Sequence, residues 1–600
     1  MSQQENNNMQ KHFYRASAAD FGKVPGCPIA YWASSKMRQA FGSKIYLSSL
    51  ASPKQGIATA NNDLFLRRWH EVSISRIHFD LKSQEEATAK EAKWLPYNKG
   101  GDFRKWYGNN EFIINWEGGG RDIRNFCDGN GKQRSAIRNP SFFFRPCVTW
   151  TDISSSSFGV RYSSQGFLFD GSSHSAFPQV SDVNMITGLL GSKTTYEFLK
   201  IINPTMHFQV GNVASVPVQE KAIQVKRHSI ETTVSKLIKK VQNDWDSFEF
   251  SWGFCCFPLL HADIEHAKIT HTYQKLRTNW LDNTLKMQLL EEENNRLFID
   301  AYGLQDELTP EVPLSEITLT CNPHYRYGGN LTDDEREARL QSDTIAELIS
   351  YAIGCMMGRY SLDREGLVYA HAGNEGFKAL VEKGAYATFA ADEDGILPLS
   401  TDSWFEDDVA TRLEAFVCTV WGSDSLEENL QFIADSLCLS AIKPVKKGGE
   451  TSRETLRRYL STQFFKDHMK TYKKRPIYWL FSSGKEKAFE CLVYLHRYNE
   501  ATLPRMRTEY VTPLLGQMAG RIERLRLQQA EAGTAEAKRI GKEIDTLSKQ
   551  LTELRAFDDE LKHHADMRIT LDLDDGVKVN YGKFGTLLSD VKAITGDKGE

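Results

Sequence analysis

The chain has no uninterrupted run of about 18 apolar residues, so nothing in it reads as a membrane-spanning helix. Its first dozen residues, MSQQENNNMQKH, show neither the apolar stretch of a secretion signal nor the arginine-rich pattern of a transit peptide. No membrane partner is expected, and a cytoplasmic location fits. The ten cysteines include an adjacent pair, Cys255 and Cys256, but no CxxC, which argues against a disulfide framework and a zinc ribbon. HExxH is absent too. His261, His266 and His271 recur every five residues and would drift around a helix instead of sharing a face, so no structural metal is expected. The chain also lacks a P-loop and a GxSxG elbow. Asp572, Asp574, Asp575 and Lys578 only echo a nuclease site and read as a charged turn between short strands.

What is present is ample core-forming material: 600 residues, 40% hydrophobic, enough for about four domains. The net charge of −4 conceals an asymmetry, because residues 1–220 carry 25 lysines and arginines against 18 acids, and the remainder has acids in excess. A basic surplus in one region suits a nucleic-acid partner.

The patterning predicts an α+β fold in which an N-terminal mixed α/β domain (1–220) precedes a mainly helical C-terminal region. Up to residue 220, short β-like runs occur at Glu111 to Trp116, Ser141 to Phe144, Phe158 to Tyr162 and Gly166 to Phe169, and Val183 to Ile202 has helical spacing. Beyond it the expected sequence is a helical connector (221–300), a helical domain (301–445), a helical segment (446–504), a helical hairpin (505–565) and a short tail (566–600). Linkers are expected at Lys446 to Ser452 and near Leu308 to Leu314. The hairpin is the clearest element, since Ile540, Ile544, Leu547, Leu551, Leu554 and Leu561 form a seam and Gly533 separates them from an earlier helix. An antiparallel pair of this kind serves equally as a spacer or a docking arm.

The densest chemistry lies in Lys93 to Trp116, KWLPYNKGGDFRKWYGNNEFIINW, which mixes glycine, cations, aromatics and amides. Lys99, Arg104 and Lys105 are candidates to neutralise phosphates, and Asn109 to contact a base edge. The competing structural reading makes Trp94, Tyr97, Trp106 and Tyr107 core residues of a hairpin. A second candidate surface, TWTDISSSSFGVR (Thr149 to Arg161), offers Trp150 and Arg161 but also reads as a polar loop between strands. A third, Asn203 to Gly211, offers Gln209. Asn322-Pro323-His324-Tyr325 approaches the Asn-Pro-Pro-aromatic motif of amino-methyltransferases but lacks the second proline. No Gly-rich turn suited to S-adenosylmethionine precedes it, and Gly118-Gly119-Gly120 has the wrong spacing.

Several tracts in order carry a family resemblance. GIATANNDLFLRRWHEV (Gly56 to Val72), KWLPYNKGGDFRKWYGN, VTWTDISSSSFGVRY and INPTMHFQVGNVASVPV resemble the target-recognition region of large adenine-specific DNA methyltransferases, above all the PglX enzymes of BREX phage-defence systems. The likeness continues through ELISYAIGCMMGRYSLD, TYKKRPIYWLFSSGK and LDDGVKVNYGKFG, and so covers nearly the whole chain.

The resemblance implies the C-terminal half of such an enzyme. In that family S-adenosylmethionine and Asn-Pro-Pro-Tyr belong to an N-terminal catalytic domain, so this chain is expected to hold no cofactor and no catalytic residue, as a truncation or one product of a split gene. Its expected partners are double-stranded DNA, the methyltransferase catalytic domain and other BREX proteins. Residue chemistry nominates Lys99, Arg104, Lys105 and Arg161 for the DNA backbone, with Asn109, Trp150 and Gln209 on the base side. The rival readings are a non-catalytic interaction scaffold and a complete methyltransferase with a divergent site near Asn322.

Overall fold

The computed structural model describes residues 18–154, 157–261, 268–399, 404–445 and 449–596. The first dozen residues, Ser155, Ser156, His266 and the start of the Lys446–Ser452 linker lie outside the described residues. Helix takes 53% of the chain and strand 11%, in several small sheets, so the fold is α+β as expected. No helix among the described residues is long and apolar enough to cross a membrane.

The chain divides into two compact units. The first comprises residues up to Arg67, Arg76–Asp246 and Asn279–Gly329. Its strands are β1 (Ala51–Lys54), β2 (Leu66–Arg68), β3 (Trp94–Asn98), β4 (Phe112–Asn115), β5 (Cys147–Thr151), β6 (Val160–Ser163), β7 (Leu168–Phe169) and β8 (Ser173–Pro178). One sheet is antiparallel in the order β1-β8-β5-β6, and the other runs β2-β4-β3-β7, with β7 parallel to β3.

The first sheet packs on helices Val183–Leu190, Lys193–Ile202 and Glu220–Trp245 through one core that contains Val148, Trp150, Ile186, Phe198, Ile230 and Val234. The single helix expected over Val183 to Ile202 is two, because Gly191 ends the first and the Ser192 hydroxyl caps the second by accepting from the Thr195 amide. Ser141 to Phe144, expected to be extended, forms a 3-10 turn over Pro140–Phe142, entered through left-handed Asn139 (φ 51°).

The domain boundary expected at 220 does not match the packing. Ile223, Val234, Leu237 and Val241 share a core with Met287, Phe298, Leu304 and Val312, so 221–246 and 279–329 build the first unit rather than a connector. For the same reason Leu308 to Leu314 is no free linker, since Val312 within it and Leu304 and Ile317 on either side are buried.

The second unit comprises Arg68–Ser75, Ser247–Thr278 and Asn330–Glu600. Helix Asp333–Met356 opens with a capping box between Thr332 and Glu335. The region expected to be mainly helical holds a three-stranded antiparallel sheet, β9 (Ile396–Pro398), β10 (Tyr478–Ser482) and β11 (Glu490–Tyr494), in the order β10-β11-β9. Runs such as YWLFS and ECLVY are buried on both faces and so lack the alternation that marks a half-buried strand.

The hairpin is present as Thr512–Glu531 and Thr534–Asp566, with Ile522, Leu525, Ile540, Ile544 and Leu547 along its seam. The expected tail instead folds into short helices, with Val577, Tyr581, Phe584 and Leu587 buried. Asp572 to Lys578 accordingly lies in helical turns, not between strands.

Candidate nucleic-acid interface

Side chains alternate across a pleated strand, and in the β1-β8-β5-β6 sheet that alternation separates two chemistries. Val148, Trp150, Val160 and Ala176 face the apolar core. On the opposite face the register aligns Cys147 with Ser163, Thr149 with Arg161 and Ser175, and Thr151 with Ser173. Thr149 and Ser173 exchange a hydroxyl hydrogen bond (3.1 Å), and Asn98 donates to Ser163 (2.9 Å). The Ser175 hydroxyl is buried on this face as well.

Arg161 is the cation of this polar face. It is 3% exposed, and among the described residues its guanidinium has no hydrogen bond and no carboxylate partner. Burial, with Arg104 adding like-charge repulsion, pushes its pKa down to about 10, which leaves it protonated at neutral pH.

The loop between β3 and β4 carries most of the other nominated residues, and the structure separates them. Lys99 is mostly covered and donates to Asp170 (2.8 Å), a carboxylate also held by the Tyr97 hydroxyl and the Ser172 amide. Arg104 is buried. It donates to the Thr318 carbonyl and the Thr320 hydroxyl, lies 3.8 Å from Asp244, and stacks on Trp245 and Tyr325. Lys105 is buried against Glu291, so it is not the phosphate-neutralising side chain the sequence suggested. Desolvating a lysine is tolerable only with such a partner. Asn109 is half-buried at φ 59° and donates to the Asp102 carbonyl (2.9 Å).

Trp94, Tyr97 and Trp106 are core residues, which settles the aromatic content of this segment in favour of packing. Trp150 is likewise fully buried, and its indole N–H donates to the Phe208 carbonyl (2.8 Å), so it cannot stack on a base.

Two loops next to this sheet do reach the surface. Ile153 pairs with His207, and the Ser154 amide donates to the Met206 carbonyl (3.1 Å), which leaves Ile153 56% and Met206 59% exposed. Gln209 is exposed beside them, at the N-cap of Val210–Ala214, with its side chain uncommitted to capping. The sequence had marked Gln209 but neither apolar neighbour, because a lone Ile or Met in a loop carries no pattern. Between these loops and the β3–β4 loop lies a pocket of about 200 Å³. Arg104, Arg161, Thr151, Ser154 and Gly159 line it, with the exposed Asp102 its one acid. Gly159 is required there, since a Cβ would stand 2.8 Å from the Arg104 carbonyl.

The Asn322 side chain is committed to internal hydrogen bonds. It is fully buried, its amide N–H₂ donates to the Leu314 and Ile317 carbonyls (both 2.8 Å), and its oxygen caps the Pro323–Arg326 turn. The glycines after β4 also turn back on their own segment. Gly118, Gly119 and Gly120 are all left-handed, and the Gly119 and Gly120 amides donate back to the Trp116 carbonyl instead of facing a ligand. Among the described residues no group of His, Cys, Asp or Glu is placed to hold a metal.

No protein-family profile matches the chain. It is 49% identical over 599 residues to the adenine-specific methyltransferase BrxX of Escherichia coli O9:H4 (strain HS), an alignment covering 99% of this chain and 47% of that protein. It is 39% identical over 597 residues to the adenine-specific methyltransferase PglX of Lacticaseibacillus casei (strain Zhang), covering 97% and 46%. The chain spans about half the length of the curated relatives it matches. Nearly the whole of it is therefore homologous to part of the adenine-specific methyltransferases BrxX and PglX.

Proposed function

We propose that the chain is the DNA sequence-recognition part of an adenine-specific N6 methyltransferase of a BREX-type system, acting in the cytoplasm and corresponding to the C-terminal half of the enzyme. Methyl transfer would then belong to a catalytic domain outside this chain that binds S-adenosylmethionine and carries Asn-Pro-Pro-Tyr, with other BREX proteins as further partners. The observation that carries this reading is the similarity of 99% of the chain to an adenine-specific methyltransferase, in a chain whose own Asn322 is committed to internal hydrogen bonds.

An adenine amine lies inside the stacked duplex, so methylation requires the base to be extruded while the flanking duplex is held in register. In this reading residues 203–209 and 152–154 meet the duplex. Gln209 has the donor–acceptor pair that matches an adenine edge, with Asn109 a second amide, and Ile153 and Met206 supply apolar contact. Arg161 and Arg104 serve the backbone from the pocket, and Lys99 does so only by giving up Asp170. Lys105 and Trp150 support the surface from within.

The test is a gel-shift titration of the whole chain with duplex DNA between about 50 and 200 mM salt, where phosphate contacts make log affinity fall linearly with log salt. Failure to bind duplex at the lowest salt rejects the reading in favour of an interaction scaffold.

A further inference from the structure

Arg161 is an exception to the way charges are buried in proteins. Buried cations are normally paired, because removing an ion from water costs several kcal/mol that only a partner and hydrogen bonds offset. Its neighbours in the β3–β4 loop follow the rule, with Lys105 on Glu291 and Arg104 on Thr318, Thr320 and the nearby Asp244. Arg161 has none of these among the described residues. An uncompensated buried guanidinium beside a pocket marks a place where a ligand supplies the missing charge.

The rest of the pocket defines that ligand. Its lining holds two guanidinium groups against the single carboxylate of Asp102, together with the Thr151 and Ser154 hydroxyls. Arg104 is immobilised by Thr318 and Thr320, so it contributes a fixed positive field, while the free fork of Arg161 can offer two parallel N–H donors to an oxyanion. At about 200 Å³ the pocket falls below the roughly 300–1,000 Å³ of sites that enclose cofactors and other drug-sized ligands. Ile153 lines it and is itself exposed, so it opens on the surface that carries Met206 and Gln209.

We propose that this pocket seats one phosphoryl group, that of a DNA backbone phosphodiester, on Arg161. The proposal rests on the recognition reading above and adds a single fixed point of register: the phosphate enters the pocket while the adjoining loops meet the bases. The same chemistry would accept a free phosphate, and the experiment separates the two sources.

The first arm uses the whole chain without DNA. Its thermal unfolding midpoint is measured in sodium phosphate and in sodium chloride at matched ionic strength, for the native protein and for Arg161→Met. Phosphate is expected to raise the native midpoint saturably, and this rise is expected to vanish in the variant. Because the variant removes a partnerless charge, its midpoint in chloride is expected to be equal to or above that of the native chain. No phosphate-specific rise in the native protein, or an equal rise in both, overturns the proposal.

The second arm measures duplex binding against salt. Arg161→Met is expected to weaken binding about ten- to a hundredfold on every sequence and to lower the salt slope by about one phosphate. Arg161→Lys, which keeps the charge without the fork, is expected to restore the slope but only part of the affinity. A phosphate response with an unchanged DNA slope overturns the DNA source and leaves free phosphate as the ligand. Absence of any duplex binding by the native chain, with the first arm intact, rejects the recognition reading and the DNA source but leaves the anion pocket standing.

Discussion

Lys105 donates to Glu291 in an ion pair whose side chains are only 8% and 1% exposed. The second carboxylate oxygen of Glu291 accepts from the Trp106 indole (2.9 Å), so adjacent residues of the glycine-rich segment are tied to one acid on the Ile269–Tyr302 helix. This anchor fixes the loop that presents Arg104 to the pocket.

Lys105→Met is expected to destabilise the chain by about 3–5 kcal/mol, because Glu291 is left charged and buried. Adding Glu291→Gln, which still accepts from Trp106, is expected to recover most of the loss, as read from urea midpoints. A drop in the salt slope of DNA binding for the folded Lys105→Met chain would show instead that Lys105 reaches DNA.

Glu249 is buried between the Ser350 hydroxyl (2.9 Å) and the Tyr472 hydroxyl (3.3 Å), and burial pushes its pKa up from 4.5 to about 7. Arg359 and Glu347 act on it with opposite signs. Between those values the folded chain retains a proton that the unfolded chain releases, so stability is expected to fall as pH rises from about 4.5 to about 7, by about 3 kcal/mol from this group. Glu249→Gln is expected to flatten that part of the pH–stability curve, and an unchanged slope would refute the assignment.

Asn322→Ala strips two carbonyls and one cap of their partner and is expected to cost about 2–4 kcal/mol. Calorimetric titration with S-adenosylmethionine should show no Asn322-dependent binding. Binding that the substitution abolishes, in a chain of normal stability, would revive the divergent-site alternative.

Gln209→Ala is expected to relax discrimination at one base pair by about 1–3 kcal/mol without altering the salt slope. Competition between the preferred site and single-base variants reads it directly, and a uniform loss on all sequences would assign Gln209 to the backbone.

Leu547→Ala opens a cavity in the hairpin seam beside Ile544, and a loss of about 2–5 kcal/mol is expected. Hydrogen exchange should quicken in Thr512–Glu531 and Thr534–Asp566 before the β10-β11-β9 sheet. Uniform quickening across both would show that the hairpin unfolds only with the rest.

The elements best read from sequence were those whose periodicity is local. The hairpin seam and the Glu220–Trp245 helix each declare their buried face within a few turns. The strands at Tyr478–Ser482 and Glu490–Tyr494 did not, since burial on both faces removes alternation. The core that joins 221–246 to 279–329 was hidden for another reason: it depends on contacts between segments far apart in the chain.

The same division runs through the candidate site. Sequence alone determined which chemistry was available, a run of cations, amides and aromatics between Lys93 and Trp116, and the family whose tracts it shares. Tertiary structure decided how that chemistry is spent. Lys105 acquired Glu291, Trp150 acquired the Phe208 carbonyl and Asn322 two carbonyls, while the Arg161 guanidinium acquired none among the described residues. Whether a charged side chain serves packing or a ligand depends on which residues remote in sequence come within hydrogen-bond reach, and only the folded chain sets those distances.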